Sequence, residues 1–277
     1  MVVYFQRINI SIAIVAMTQK SNDTGTNSTS DICPSDDSNN NSNDDTDDNE
    51  GDYDWNKAQQ GDILGCYYYG YVCTQIIGAW LSSKYGFKII LLFTTLITSV
   101  LTILTPFLAD AGFAWIFASR ILIGFCHGVT FPLLQGCWSL WGPPLETSNL
   151  ISIYTAGNSV GTCLIFPIGG ILAGSSLGWQ SIFYFTGGSG ILWCILWTFL
   201  VYDSPAKHPR ISKEEQVYIE SSIADQQKSI EKPKNIPWKG MLTSKVVWSV
   251  AIAHLASNWG VYQMNSLLPT YLNDVLQ

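Results

Sequence analysis

The stretch "FAWIFASRILIGFCHGVTFPLLQ" (residues 113–135) is long and apolar enough for a membrane-crossing helix, yet it contains Arg120 and His127. An arginine at the centre of a bilayer costs about 2.5–3.5 kcal/mol, so its presence indicates a functional role. The two residues are nearly two helical turns apart, which places them on one face with Gly124 between them. Two alternatives assign these residues purely structural roles: Arg120 snorkels to the outer end of its helix, and His127 is a neutral core histidine bonded to a backbone carbonyl.

Six further segments are apolar over a comparable length and, for the most part, lack a polar face. The sequence therefore predicts an all-α membrane protein with seven spans. A seven-helix receptor fits this count, but it would place its glycosylated segment before the first span and its N-terminus outside. The six segments are residues 2–17, 63–81, 89–109, 151–173, 181–202 and 246–270.

The loop at residues 19–57 is rich in Asn, Ser and Asp and holds about half of the acidic residues of the chain. Such a composition buries too little apolar surface to fold alone, so we predict disorder. Three acceptor patterns for N-glycosylation, at Asn22, Asn27 and Asn40, place this loop on the lumenal or extracellular side.

Positive charge is distributed asymmetrically in a way that agrees with this orientation. The loop between the second and third spans and the stretch from Asp203 to Lys245 carry ten Lys or Arg residues, whereas the opposite loops carry only Lys20 and Lys57. The positive-inside rule then places the N-terminus in the cytoplasm.

The order of the segments suggests a transporter built from two six-helix halves. We expect an N-terminal bundle at residues 1–202, a cytoplasmic linker at 203–245 and, at 246–277, the first helix of a second bundle. Within the linker, Ser212 and Glu215 form a capping-box pattern that opens an amphipathic helix. We expect the chain to be a piece of a longer protein, and such a piece by itself is alternatively a fragment that transports nothing.

Arg7 is the second arginine within an apolar segment, and Asn9 and Ser11 follow it. Two arginines that face one cavity without matching carboxylates predict a site for anions. Tyr67 and Tyr71 lie one turn apart, with Tyr68 and Tyr69 between them, and together they suit a polar cavity wall as well as an interfacial belt.

No enzyme signature is present, because the three histidines lack the spacing of metal ligands. We expect no cofactor, no metal and no nucleic-acid partner. The expected partners are the lipid bilayer and a small anion.

Six stretches of the sequence are distinctive when taken together: "RINISIAIVAM", "DWNKAQQGDILGCYYYGYVCTQIIGAWLSSKYGFK", "GVTFP", "WSLWGPPLETSNLISIYTAGNSVGT", "SPAKHPRISKEEQVYI" and "NWGVYQMNSLLPTYL". They resemble one family, the anion transporters that include sialin, the vesicular glutamate transporters and the sodium-phosphate cotransporters (solute carrier family 17). That family belongs to the major facilitator superfamily, so the resemblance implies a twelve-helix transporter.

The resemblance implies roles for individual residues. Arg7 matches the first-helix arginine that binds the substrate carboxylate, and Arg120 matches an arginine found across the family. Five further positions match the substrate path or its surroundings: Tyr4, Tyr67, Tyr71, Asn258 and Tyr262.

The sequence also departs from the family pattern. His127 stands at the position of a glutamate implicated in proton coupling, and Ile123 stands where sialin has another carboxylate. Ser257 and Leu64 replace an arginine and a histidine of glutamate transporters, which disfavours that substrate. Ser82 replaces an acid of the superfamily's loop motif.

A histidine at this position has an unperturbed pKa of about 6.5, and its charged form is positive rather than negative. It therefore reverses the local electrostatics, and coupling is altered, moved elsewhere or lost. The resemblance implies proton- or sodium-coupled transport of sialic acid, acidic sugars or acidic amino acids, or alternatively sodium-phosphate cotransport. The expected location is a lysosomal or vesicular membrane or the plasma membrane.

Overall fold

The structure is a computed structural model that describes residues 1–18, 52–229 and 238–275. Within these ranges the regular secondary structure is helical, apart from a single bridge between Thr18 and Tyr53. The helices are α1 (Val2–Met17), α2 (Lys57–Tyr85), α3 (Phe87–Asp110), α4 (Phe113–Gly128), α5 (Thr130–Trp141), α6 (Thr147–Ala173), α7 (Gln180–Leu200), a 3-10 turn (Pro205–Lys207), α8 (Lys213–Ser229), α9 (Trp238–Thr243) and α10 (Lys245–Val275).

Among the described residues, four helical segments are long and apolar enough to cross a membrane by length and composition: α3, α4 with α5, α6 and α7. The remaining three expected spans do not meet the same measure. α1 is apolar but has 16 residues. α2 and α10 are long enough, at 29 and 31 residues, but more polar. Both contribute side chains to the small cavity described below.

The predicted span at residues 113–135 is divided in the structure. α4 ends at Gly128, Val129 caps it, and α5 begins at Thr130. Together the two helices form one segment, Phe113–Trp141, that is longer than the expected span.

Glycines allow α2 and α4 to approach closely. A Cβ atom on Gly124 would overlap the backbone carbonyl oxygen of Tyr67, and one on Gly70 would overlap the carbonyl oxygen of Ile121. Small residues at such crossings let helix backbones touch within a membrane. The contact fixes the height of Tyr67 against α4, which positions the site. By contrast, a Cβ atom on Gly65 would meet no atom of the described residues within 4 Å.

Polar contacts fasten the two ends of the bundle. At one end, the Asp203 carboxylate accepts a hydrogen bond from the backbone N–H of Lys88, 3.0 Å away, at the start of α3. At the other end, the indole of Trp179 donates to Asp52 at 2.6 Å. These contacts connect loops to the ends of α3 and α7, so the helices between them are held in fixed register.

The linker contains a helix at the expected place. The hydroxyl oxygen of Ser212 accepts from the backbone N–H of Glu215 at 3.1 Å, which is the first half of the capping box. α8 reaches the loop before α6 through the hydroxyl of Tyr218, which donates to Glu146 at 3.2 Å.

Candidate anion-binding site

The guanidinium of Arg7 lies within a ring of five tyrosines. Its central carbon is 4.1 Å from the centre of the Tyr262 ring, and the other four ring centres are 5.1 to 5.7 Å away. All five distances lie in the range of cation–π contacts. α1 supplies Tyr4, α2 supplies Tyr67, Tyr68 and Tyr71, and α10 supplies Tyr262.

Four of the five tyrosines are the ones that the resemblance assigns to the substrate path, and the structure brings them together around Arg7. Tyr68 completes the ring and also meets the hydroxyl of Ser266 on α10 at 3.1 Å. Tyr69 does not join them, since it is 71% exposed. Two residues after Tyr67, it lies on the opposite face of the helix.

Arg7 retains unused hydrogen-bonding capacity. One of its terminal nitrogens is buried and has no hydrogen-bond partner among the described residues. Buried polar groups are normally paired, and an unpaired one costs about 1–3 kcal/mol. The nitrogen therefore indicates a ligand that accepts hydrogen bonds.

Arg7 also lines a small cavity with a volume of about 10 Å³, the space of one water molecule. Its polar lining includes both Arg7 and Arg120, as the sequence predicts. The remaining lining residues are Ile8, Ile10, Ser11, Leu64, Tyr67, Tyr68, Asn265 and Ser266.

Arg120 is 1% exposed, so it does not snorkel to the end of its helix. Its terminal Nη1 donates to the side-chain oxygen of Asn9 at 3.2 Å. The amide of Asn9 in turn donates to the hydroxyl of Thr186 at 3.0 Å. The Nε and the second terminal nitrogen of Arg120 are buried and have no hydrogen-bond partner in the part of the chain that the structure describes. No Asp or Glu is buried in the described part of the chain, so no buried carboxylate neutralises either arginine.

His127 is buried on the same face of α4 as Arg120, since both contact α1. Its Nε2 lies 3.2 Å from the side-chain oxygen of Gln6, and its Nδ1 lies 3.2 Å from the hydroxyl of Tyr67. The hydrogen-bond partners of His127 are therefore side chains, and not the backbone carbonyl expected for a purely structural core histidine. The side-chain nitrogen of Gln6 in turn donates a hydrogen bond to the hydroxyl oxygen of Ser99 on α3, at 2.8 Å.

Asn258 is apart from this cluster. It lies one turn before Tyr262 on α10, and its amide donates to the backbone carbonyl of His254 at 2.9 Å, within the same helix. His254 and Ser257 are exposed. Leu64 lines the cavity, and Ile123 is fully buried. The glycosylation positions Asn22, Asn27 and Asn40 lie outside the described residues.

Sequence analysis did not assign Gln6, Ser99 and Thr186 to the site, and it noted Asn9 only as a polar neighbour of Arg7. Gln6, Asn9 and Ser99 are completely or almost completely buried. Amide side chains within an apolar helix were the available signal for Gln6 and Asn9. Ser99 and Thr186 carried no such signal, because hydroxyl groups in membrane helices commonly bond to their own backbone.

A larger cavity lies elsewhere, near Met1 and His208, with a volume of about 610 Å³. Its lining is mostly apolar and includes Trp138, Trp141 and Trp197. Its lining includes none of Arg7, Tyr67, Arg120 and His127, so this cavity is separate from the charged cluster.

Comparison with known proteins agrees with this architecture. The sequence profile of the Major Facilitator Superfamily matches residues 1–277. The chain is 41% identical to sialin of Homo sapiens over 276 residues, which cover 100% of this chain and 54% of sialin. It is 39% identical to an uncharacterized transporter of Caenorhabditis elegans, covering 100% of this chain and 56% of that protein. It is 35% identical to vesicular glutamate transporter 3 of Danio rerio, covering 97% of this chain and 43% of that protein.

The chain thus spans about half the length of the curated relatives that it matches. These relatives are transporters rather than enzymes, in agreement with the sequence. Their similarity, the helical fold and the four apolar segments describe a multi-pass membrane protein. The chain belongs to the major facilitator superfamily, and its relatives there are sialin and the vesicular glutamate transporters.

Proposed function

We propose that the protein transports small organic anions by alternating access and that Arg7 binds the anionic group. The substrate class is sialic acid, an acidic sugar or an acidic amino acid, and transport is coupled to protons or sodium. The similarity to sialin and to vesicular glutamate transporters supports the anionic substrate. The same similarity supports placement in a lysosomal, vesicular or plasma membrane. The charge distribution supports an orientation with the N-terminus in the cytoplasm.

The observation that carries this proposal is that Arg7 has a buried nitrogen without a hydrogen-bond partner among the described residues and lines a cavity together with Arg120. Desolvated guanidinium groups bind carboxylates strongly, because two parallel N–H donors meet two oxygens. A neutral ligand would leave this charge unbalanced, and a cation would be repelled.

The tyrosine ring explains how Arg7 stays available to a ligand. A carboxylate partner would fix the arginine but cancel its charge. Aromatic faces hold the guanidinium through the ring quadrupole and add no formal charge. The five tyrosines therefore orient Arg7 while preserving the positive potential that an anion requires.

Access to the site requires movement. The cavity holds about one water molecule, which is too small for an organic anion. Tyr68 and Tyr262 bring α2 and α10 together beside Arg7, with 5.5 Å between their ring centres. Separation of these two helices would open the cavity, as alternating access demands.

The test is uptake into liposomes that contain the full-length protein. Labelled sialic acid, glutamate, aspartate and phosphate are compared, with proton and sodium gradients imposed separately. We expect uptake of an organic anion and its loss in Arg7→Gln. Arg210→Gln, in the exposed linker, serves as the control and should transport normally. Preferential uptake of phosphate would instead favour the sodium-phosphate cotransporters, and normal uptake by folded Arg7→Gln would remove the assigned role of Arg7.

A further inference from the structure

Two buried residues, Gln6 on α1 and Ser99 on α3, connect to the anion site through His127. We propose that Gln6 and Ser99 are positioning residues that hold His127 in the tautomer protonated on Nε2. In this tautomer the Tyr67 hydroxyl donates to Nδ1 of His127, and the aromatic ring of Tyr67 faces Arg7. This inference deepens the proposed function and depends on it for its consequence for transport. The hydrogen bonds on which it rests do not depend on which anion is transported.

Hydrogen bonds connect Tyr67, His127, Gln6, Ser99 and the backbone carbonyl of Thr95 in series. The carbonyl at the end of this series determines the direction of each bond. A carbonyl oxygen only accepts, and it lies 2.7 Å from the hydroxyl of Ser99. The single hydroxyl proton of Ser99 is therefore directed to Thr95. Consequently, Ser99 must accept from the side chain of Gln6, 2.8 Å away, and the amide nitrogen of Gln6 must face Ser99.

This orientation of Gln6 decides the tautomer of His127. Because the nitrogen of Gln6 faces Ser99, its oxygen faces Nε2 of His127 at 3.2 Å. An amide oxygen only accepts, so Nε2 carries the proton. The neutral ring then has a lone pair on Nδ1, which accepts from the hydroxyl of Tyr67 at 3.2 Å. Each of the four donors in this series has one acceptor.

The packing around Gln6 leaves little freedom for an alternative. Gln6 and Ser99 are both 0% exposed. A Cβ atom on Gly190 of α7 would overlap both the Ser99 hydroxyl oxygen and the Gln6 amide nitrogen. The absence of a side chain at Gly190 provides the space in which this hydrogen bond forms.

The consequence for the site lies in Tyr67. Its hydroxyl is held by His127, and the guanidinium of Arg7 lies 5.3 Å from its ring centre. In the other neutral tautomer, Nδ1 would itself donate to Tyr67, and the Tyr67 hydroxyl proton would need a different acceptor. Gln6 and Ser99 thus position a ring that contacts the anion-binding group without touching the anion themselves.

The first measurement is nitrogen NMR on the full-length protein in lipid nanodiscs, with ¹⁵N-labelled histidine at pH 7. The His127 signals are assigned by their loss in His127→Gln. We expect a protonated Nε2 and an unprotonated Nδ1. A ring protonated on Nδ1, alone or together with Nε2, would overturn the inference, and this readout does not depend on transport.

The second measurement uses Ser99→Ala, which frees the Gln6 amide to rotate. We expect a mixture of the two neutral tautomers and an apparent KM for the transported anion raised by roughly threefold to tenfold, with a smaller change in maximal rate. Thr102→Ala is the matched control, since the buried Thr102 hydroxyl bonds to the Thr98 carbonyl of its own helix at 2.7 Å. An unchanged tautomer in folded Ser99→Ala, or an equal change in Thr102→Ala, would contradict the role of Ser99.

Discussion

The guanidinium carbon of Arg7 lies 4.1 Å from the ring centre of Tyr262, although the two residues come from the first and the last helices of the described chain. This contact connects α1 to α10 at the level of the cavity. A second contact between the two helices is at Ser11, whose hydroxyl bonds to the Ile8 carbonyl of its own helix at 2.7 Å and also lies 3.1 Å from the backbone carbonyl oxygen of Asn265. The candidate anion site therefore lies at the junction between the six preceding spans and α10.

Removal of the Tyr262 ring should weaken anion binding. A cation–π contact contributes about 0.5–2 kcal/mol, so Tyr262→Ala should lower the apparent affinity for the transported anion by roughly twofold to thirtyfold. Tyr262→Phe keeps the ring face and should bind nearly as well as the wild type. Concentration-dependent uptake by the three proteins measures the difference. Equal losses in both variants would show that the hydroxyl, rather than the ring, is required.

A carboxylate at position 9 should separate stability from function. Asn9 accepts from Arg120 at 3.2 Å, so the new charge in Asn9→Asp would pair with the arginine and lower the positive potential of the cavity. We expect a folded protein whose anion uptake falls by about tenfold or more.

Asn9→Leu, by comparison, removes the acceptor of a buried guanidinium and should destabilise the protein by about 1–3 kcal/mol. Thermal unfolding in detergent measures this change. Undiminished uptake by Asn9→Asp would mean that Arg120 does not contribute to the potential at the site.

Gly124→Ala should disturb the crossing of α2 and α4. The added Cβ atom would overlap the Tyr67 carbonyl oxygen, and overpacking of this kind costs about 1–3 kcal/mol. Displacement of Tyr67 should also reduce anion uptake. Gly188→Ala on α7 is the control, because the added Cβ atom would meet no atom of the described residues within 4 Å and alanine favours a helix. A melting temperature for Gly124→Ala equal to that of the control would argue against the close approach.

The protein should lose folding stability at alkaline pH because of the loop residue Tyr53. Burial and a hydrogen bond from its hydroxyl to Asp110 raise the pKa of Tyr53 well above its usual range. Below pH 10 both the folded and the unfolded chains keep the phenol proton, and the stabilising contribution is fully present. As the pH rises further, the unfolded chain loses its proton first, so stability falls.

Melting temperatures between pH 8 and about pH 11 test this expectation. The temperature should decline less steeply in Tyr53→Phe than in the wild type. Tyr85→Phe, an exposed tyrosine at the end of α2, provides the comparison. Identical slopes for the wild type and Tyr53→Phe would exclude a contribution from Tyr53.

The sequence by itself determined the helical membrane fold, because apolar runs of about 20 residues have few alternatives. It also singled out Arg7, Arg120 and His127, since charge or polarity in an apolar run is costly and therefore conspicuous. Among the described residues, four of the predicted spans are long and apolar enough by themselves, whereas α2 and α10 are more polar and α1 is short.

Only the tertiary structure decided the partners of these residues. Tyr262 reaches Arg7 from α10, and Gln6 and Asn9 extend from α1 to His127 and Arg120. It also showed that Asn258 bonds within its own helix. The physical reason is that helical periodicity fixes which residues share a face, whereas the height at which two helices meet depends on small residues at their crossing, such as Gly124 against Tyr67.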